Sequence, residues 1–147
     1  MEGLGRIVRE HSFFAGMAGG HTDVLSGCAR NVRFEPGEYL FHEGDVADQL
    51  YLLRAGRVAL EVNKPGARVT IQTVGESEIV GASWLVPPYR RGLSARAVEL
   101  TRALSFDAAC LRGKCEADHD LGYEMMKRFL PVLIQRLRAA RLQIREN

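Results

Sequence analysis

Cysteine is scarce and odd in number: only Cys28, Cys110 and Cys115 occur in 147 residues, too few for the disulfide framework of a small secreted domain. The N-terminus lacks the apolar run of a secretory leader, because Met1 to Phe14 is broken by Arg6, Arg9, Glu10 and His11. These two absences lead us to expect a cytoplasmic protein with reduced thiols. No apolar stretch approaches the roughly 20 residues that span a bilayer, so no membrane segment is expected. Neither sign of charge dominates; 20 Lys and Arg against 18 Asp and Glu leave a formal +2, which gives no whole-chain attraction for nucleic acid or anionic lipid. No Ser-His-Asp or Cys-His arrangement can be placed together, and no phosphate loop of the nucleotide-hydrolysing kind occurs. Enzymatic activity is therefore not expected. Cys110, Cys115 and His119 fall short of the four ligands of a closed metal site, so they read as structural thiols and a surface histidine. Glu43 and Asp45 flank a tight turn with no partner at general-acid spacing and read as turn residues.

What is present is enough apolar material, 46% of the chain, for one domain of residues 1–147 with a core that needs no staples. Residues 1–30 read as a lead-in of short helices carried by Ile7, Val8, Phe13, Phe14, Val24 and Leu25, with Gly16, Gly19 and Gly20 between them. From Asn31 the texture changes. Gly37, Gly44, Gly56, Gly66, Gly75, Gly81 and Gly92 cut the chain into strand-length pieces over residues 31–107, which argues for an antiparallel sandwich or barrel. The pieces are 32–34, 39–41, 50–53, 58–62 and 69–74, the last two alternating with period two. Two more are expected near Ser94 to Glu99 and Thr101 to Phe106. Glu35-Pro36-Gly37-Glu38 and Glu43-Gly44-Asp45 are turn chemistry, while Ala55-Gly56 and Lys64-Pro65-Gly66 suit hairpin connections.

Residues 108–147 read as helical. Asp107 is a natural N-cap for a short segment from Ala108 to Arg112. A longer one runs from about Ala117 to Arg145, where Tyr123, Met126, Leu130, Leu133, Leu137, Ala140 and Ile144 recur at alternating spacings of three and four. Such a seam fits pairing of two helices in a homodimer, or one amphipathic helix lying on its own barrel. Pro131 lacks an amide donor, so a kink or a helix-to-helix junction is expected near Arg128 to Pro131.

Three stretches carry a resemblance: Phe14-Ala15-Gly16-Met17, the run from Phe34 to Asp45 (FEPGEYLFHEGD), and Leu50 to Val58 (LYLLRAGRV). In this order they resemble the cyclic-nucleotide-binding domain of the catabolite-activator and Fnr superfamily. The resemblance covers essentially the whole chain, and Pro36 to Val58 is its most specific part. It implies a mainly β fold, a double-stranded β-helix or jelly-roll barrel flanked by N-terminal helices and a long C-terminal helix. It also implies a ligand cassette at residues 80–92, a short helix followed by a strand. Gly81 matches the opening glycine, Trp84 and Leu85 would lie on the short helix, and Pro87-Pro88 would end it. Either Arg90 or Arg91 would hold the cyclic phosphate, Arg91 by the count back from Ala97. A glycine permits close backbone approach, helix amides face the anion, and arginine supplies the charge. The departures are as specific. Ala82 stands where the family usually has a glutamate on the ribose, and Gly92 where it usually has a small hydroxyl residue. Ser83 or Ser94 could substitute from nearby, with Leu93 between the arginine and the next strand.

The resemblance places Ala140 and Arg141 of the last helix where base-contacting residues usually lie. Arg136 and Arg141 fall at g and e positions, so a parallel pair of helices sets like charges together; a bound anion, an acidic barrel surface or solvation would relieve them. DNA-binding members continue into a helix-turn-helix module that this sequence does not show, so direct major-groove binding is not expected. The function implied is a non-catalytic sensory module for cyclic AMP, cyclic GMP or a related phosphate-bearing ligand. It would signal through its last helix to a downstream protein. The alternative is a scaffold or dimerisation protein that keeps the fold without the ligand.

Overall fold

A computed structural model describes residues 2–146, without the side chains of residues 2, 3, 145 and 146. The chain opens with α1 (Glu2–Glu10), a single 3-10 turn (Ser12–Phe14) and α2 (Gly19–Ser26). The strands follow as β1 (Ala29–Phe34), β2 (Tyr39–Phe41), β3 (Gln49–Ala55), β4 (Arg57–Lys64), β5 (Ala67–Gly75) and β6 (Ile79–Val80). A second 3-10 turn (Ala82–Trp84) then leads into β7 (Ser94–Ala97) and β8 (Thr101–Asp107), and α3 (Ala108–Ala117) and α4 (His119–Glu146) close the described chain. The strands form two four-stranded antiparallel sheets, ordered β1-β8-β3-β6 and β2-β7-β4-β5. This is the jelly-roll arrangement, although helices take about 40% of the residues, so "mainly β" describes the core better than the residue count.

The burial pattern explains why β3 reads Leu-Tyr-Leu-Leu rather than alternating. Tyr51 and Leu53 point between the sheets, against Phe41, Val58, Leu60, Val74, Val80 and Ala103. Leu50 and Leu52 point outward and are covered by Val8, Phe14, Leu25, Leu111, Leu121, Met125 and Phe129 of the helices. A sheet covered on both faces needs apolar residues at successive positions. The hairpin from β3 to β4 turns on Gly56, whose φ of +96° and 2.5 Å gap from a built Cβ to the Leu100 carbonyl oxygen leave room for no side chain.

The structure differs from the sequence reading in five places. The strand expected to reach Glu99 ends at Ala97, and β6, only two residues long, carries no periodic signal. The short helix after Asp107 is capped as expected, its carboxylate accepting from the Cys110 amide at 2.8 Å, but it runs on to Ala117. The expected junction at Pro131 does not occur: α4 continues through it as one helix. Finally, the thiols are not all reduced. Cys28 and Cys110 form a disulfide with Cα atoms 5.7 Å apart, because pairing of β1 with β8 brings the Asp107 amide onto the Cys28 carbonyl at 2.9 Å. Cys115 is free and buried. Among the described residues, no helix is long and apolar enough to cross a membrane.

The heptad seam of α4 is largely exposed. Leu121, Met125 and Phe129, spaced by four, face the core, while Tyr123, Leu130, Leu133, Leu137 and Ile144 are 47 to 74% accessible. The helix therefore carries two apolar faces, and its own barrel covers only one of them.

Candidate functional site

The cassette begins where β6 ends. Gly81 has φ +100°, a left-handed conformation that glycine adopts without strain. A Cβ there would lie 2.6 Å from Nη1 of Arg91 and 3.2 Å from the Gln49 carbonyl oxygen. The missing side chain is thus the space in which the arginine lies. The chain then makes the 3-10 turn Ala82–Trp84. Trp84 is buried and packs on Phe129 of α4 with ring centroids 5.5 Å apart. Its carbonyl accepts from Nη1 of Arg112 in α3 at 2.5 Å, and Arg112 lies 4.2 Å over the Tyr89 ring. The cassette's far limb is laced to the turn before β3: Gly44 donates to the Arg91 carbonyl at 2.8 Å, Arg91 to Asp45 at 2.8 Å, and Ala47 to Tyr89 at 2.7 Å.

This lacing turns Arg91 inward. It is 3% exposed, with its guanidinium 4.0 Å over the Phe41 ring and Nη2 donating to the Gln49 carbonyl. Nε and Nη1 are buried without a protein partner. Burial pulls its pKa below the ordinary arginine value, and the nearby Tyr51, Asp48 and Asp45 oppose that shift. A desolvated cation with unpaired donors is costly unless an anion completes it.

Gly81, Ala82, Ser83, Arg91, Gly92 and Leu93 line one cavity of about 240 Å³, joined by Phe41 from β2 and by Leu133 and Arg136 from α4. Arg136 donates through Nη2 to the Ile79 carbonyl, and desolvation lowers its pKa to about 10 against the opposing charge of Glu78. The other sequence candidates lie elsewhere. Arg90 is exposed and reaches only the Gly44 carbonyl, at 3.5 Å. Ser94 is buried with its hydroxyl accepting from the Glu43 amide at 2.8 Å. Ala140 and Arg141 lie outside the lining, which α4 reaches about a turn earlier. Phe41 and Leu133 carried no signal beyond being apolar, and Arg136 had been marked only as a charge needing relief.

A larger hollow of about 470 Å³ is lined by Cys28, Arg30, Gln49, Ser105, Asp107 and Cys110. It lies behind Gln49, whose side chain accepts from Ser105 at 2.5 Å, and it has no buried cation without a partner.

Known proteins share this fold and sequence pattern. Residues 31–118 match the family model of the cyclic nucleotide-binding domain. A "CRP-like cAMP-activated global transcriptional regulator" of Mycobacterium tuberculosis is 29% identical over 136 residues, 92% of this chain, and the chain spans 59% of that protein's length. A solved structure from Geobacter metallireducens, classed provisionally as cyclic nucleotide-binding, superposes with a TM-score of 0.80 at 29% identity over 90% of this chain and 96% of that one. The catabolite activator protein of Thermus thermophilus gives a TM-score of 0.71 at 26% identity, over 90% of this chain and 61% of that one.

Proposed function

The chain belongs to the cyclic nucleotide-binding domain family, and from that premise we propose that it is a non-catalytic sensory domain. It binds a cyclic nucleotide or related phosphate-bearing ligand at Arg91 and passes occupancy to α4. The observation that carries this reading is the buried Arg91, two of whose guanidinium nitrogens have no protein partner, in the wall of a cavity beside Gly81. Gly81, Ala82, Ser83, Gly92 and Leu93 complete the walls, and Arg91 rather than Arg90 is the anion-binding arginine.

Transmission follows from what the cavity touches. Leu133 and Arg136 belong to α4, and Trp84, on the cassette turn, packs on Phe129 of the same helix. An anion that reaches Arg136 competes with the Ile79 carbonyl for its donors. Occupancy then biases how α4 sits on the barrel, a shift between two states that a partner can read. The exposed seam of α4 suits pairing with a second copy of the chain, since an apolar stripe of this length is costly to leave in water.

The test is thermal unfolding in the presence of cyclic AMP and cyclic GMP. Ligand at 100 times its dissociation constant stabilises by about 2.7 kcal/mol. The shift is expected in the wild type and lost in Arg91→Ala. If neither nucleotide at millimolar concentration moves the transition, the cyclic-nucleotide form of the reading fails, and if no phosphate ester does, the scaffold reading, favoured by Ala82 and Gly92, takes its place.

A further inference from the structure

Two arginines and no carboxylate line the cassette cavity. Elsewhere the barrel pairs its charges: buried Glu61, for example, accepts from Nε and Nη2 of Arg96 at 3.1 and 2.8 Å. Arg91 and Arg136 have only backbone carbonyls, of Gln49 and Ile79. The acidic groups that act on them, Asp45, Asp48 and Glu78, are not in the cavity wall. Both guanidiniums meet the chain at the end of β6: Arg136 donates to the Ile79 carbonyl and Arg91 lies against Gly81, the residue that follows the strand. The rest of the lining is mostly apolar, with Phe41, Ala82, Leu93 and Leu133, and Ser83 supplies its one side-chain hydroxyl.

We propose that the ligand is a phosphate ester carrying a second anionic group, with Arg91 holding one group and Arg136 the other. This rests on the reading of Arg91 as the phosphate site. An anion at Arg91 gives its open Nε and Nη1 donors charge-assisted hydrogen bonds, and one at Arg136 answers a cation that a singly charged ligand leaves uncompensated. Among the lining side chains only the Ser83 hydroxyl can accept from a sugar hydroxyl, so the anionic groups dominate recognition.

The comparison that isolates charge uses adenosine 3′,5′-bisphosphate against cyclic AMP: the base and sugar are the same, and the anionic groups number two and one. Calorimetric titration at fixed ionic strength is expected to give ten- to a hundredfold tighter binding for the bisphosphate, the range for a hydrogen bond to a charged group. A smaller pair, 3-phosphoglycerate against glycerol 3-phosphate, is expected to show the same preference and removes any steric effect of the base. Deletion of the ribose 2′-hydroxyl from cyclic AMP is expected to change affinity less than loss of the second anion does, since no carboxylate in the lining accepts from it. Arg136→Gln, which keeps a donor for the Ile79 carbonyl, is expected to abolish both preferences while leaving the ligand-free melting temperature unchanged. Arg91→Ala is expected to abolish binding of all four. Cyclic AMP binding as tightly as the bisphosphate, with Arg136→Gln without effect, overturns the two-anion inference and leaves the sensory reading standing. Absence of binding by every one of these probes overturns both.

Discussion

His11, Glu61 and Arg91 all carry polar heads into the interior, and what meets each head separates structure from function. Glu61 is answered by Arg96, and by Arg68 at 3.8 Å, which suffices to explain its burial. His11 is also satisfied: Nε2 bonds the Leu53 carbonyl at 3.0 Å and Nδ1 accepts from the Phe13 amide at 3.1 Å, an arrangement available only to the neutral ring. Burial, aided by the charge of Arg54 and opposed by the Leu53 bond, holds its pKa below the ordinary 6.5. The unfolded chain therefore takes up the proton first. The contribution of His11 to stability is complete above about pH 6.5 and is lost as the pH falls from there towards the lowered folded-state value. Urea midpoints measured across that interval should decline in the wild type, and His11→Gln should flatten the decline. Only Arg91 among the three is left with open donors, which is why we propose it, and not a more exposed arginine, as the anion site. The family resemblance, by the count back from Ala97, points to the same residue. The inward turn that distinguishes it from Arg90 was not legible in the sequence, because it comes from backbone bonds to the loop at 44–47, distant in sequence.

Among the elements, the strands whose turns carry glycine or proline were legible, and β4 and β5 lie where their alternation placed them. The β6 strand was not, since two residues hold no period. α4 was legible as a helix but only half understood. A second series, Leu121, Met125 and Phe129, docks it on the cassette's Trp84, which accords with the alternative of a helix lying on its own barrel. The disulfide was not legible either. Its cysteines are 82 residues apart and meet only through the register of β1 with β8, which no local pattern encodes. It fastens the head of β1 to α3, directly before α4. Closing a loop of that length is worth about 4.5 kcal/mol by chain entropy alone. Reductant should lower the denaturation midpoint of the wild type accordingly, whereas Cys28→Ser should start from the lower midpoint and ignore reductant. Equal midpoints with and without reductant would show that this link contributes nothing to stability.

At the scale of the whole molecule, α4 lines the cassette cavity with Leu133 and Arg136 and also meets solvent. Sheet β1-β8-β3-β6 is covered on its outer face by helices, so the cassette lies between the sandwich and a helix with an exposed apolar seam. That seam sets the expectation for assembly. Sedimentation should find the wild type dimeric at micromolar concentration and Leu130→Asp and Leu137→Asp monomeric; Leu133 is unsuitable because it also lines the cavity. A monomeric wild type would remove the dimer from the account but not the site. The chain spans 59% of the Mycobacterium tuberculosis regulator it matches.

The central claim, that an anion held by Arg91 is felt by α4, has a built-in reporter. Trp84 is the only tryptophan in the chain and sits between the cassette and Phe129. Its emission, titrated with whichever of cyclic AMP and adenosine 3′,5′-bisphosphate binds more tightly, is predicted to change saturably in the wild type and not at all in Arg91→Ala. A wild-type emission that stays constant through calorimetric saturation, or one that changes equally in Arg91→Ala, would contradict it.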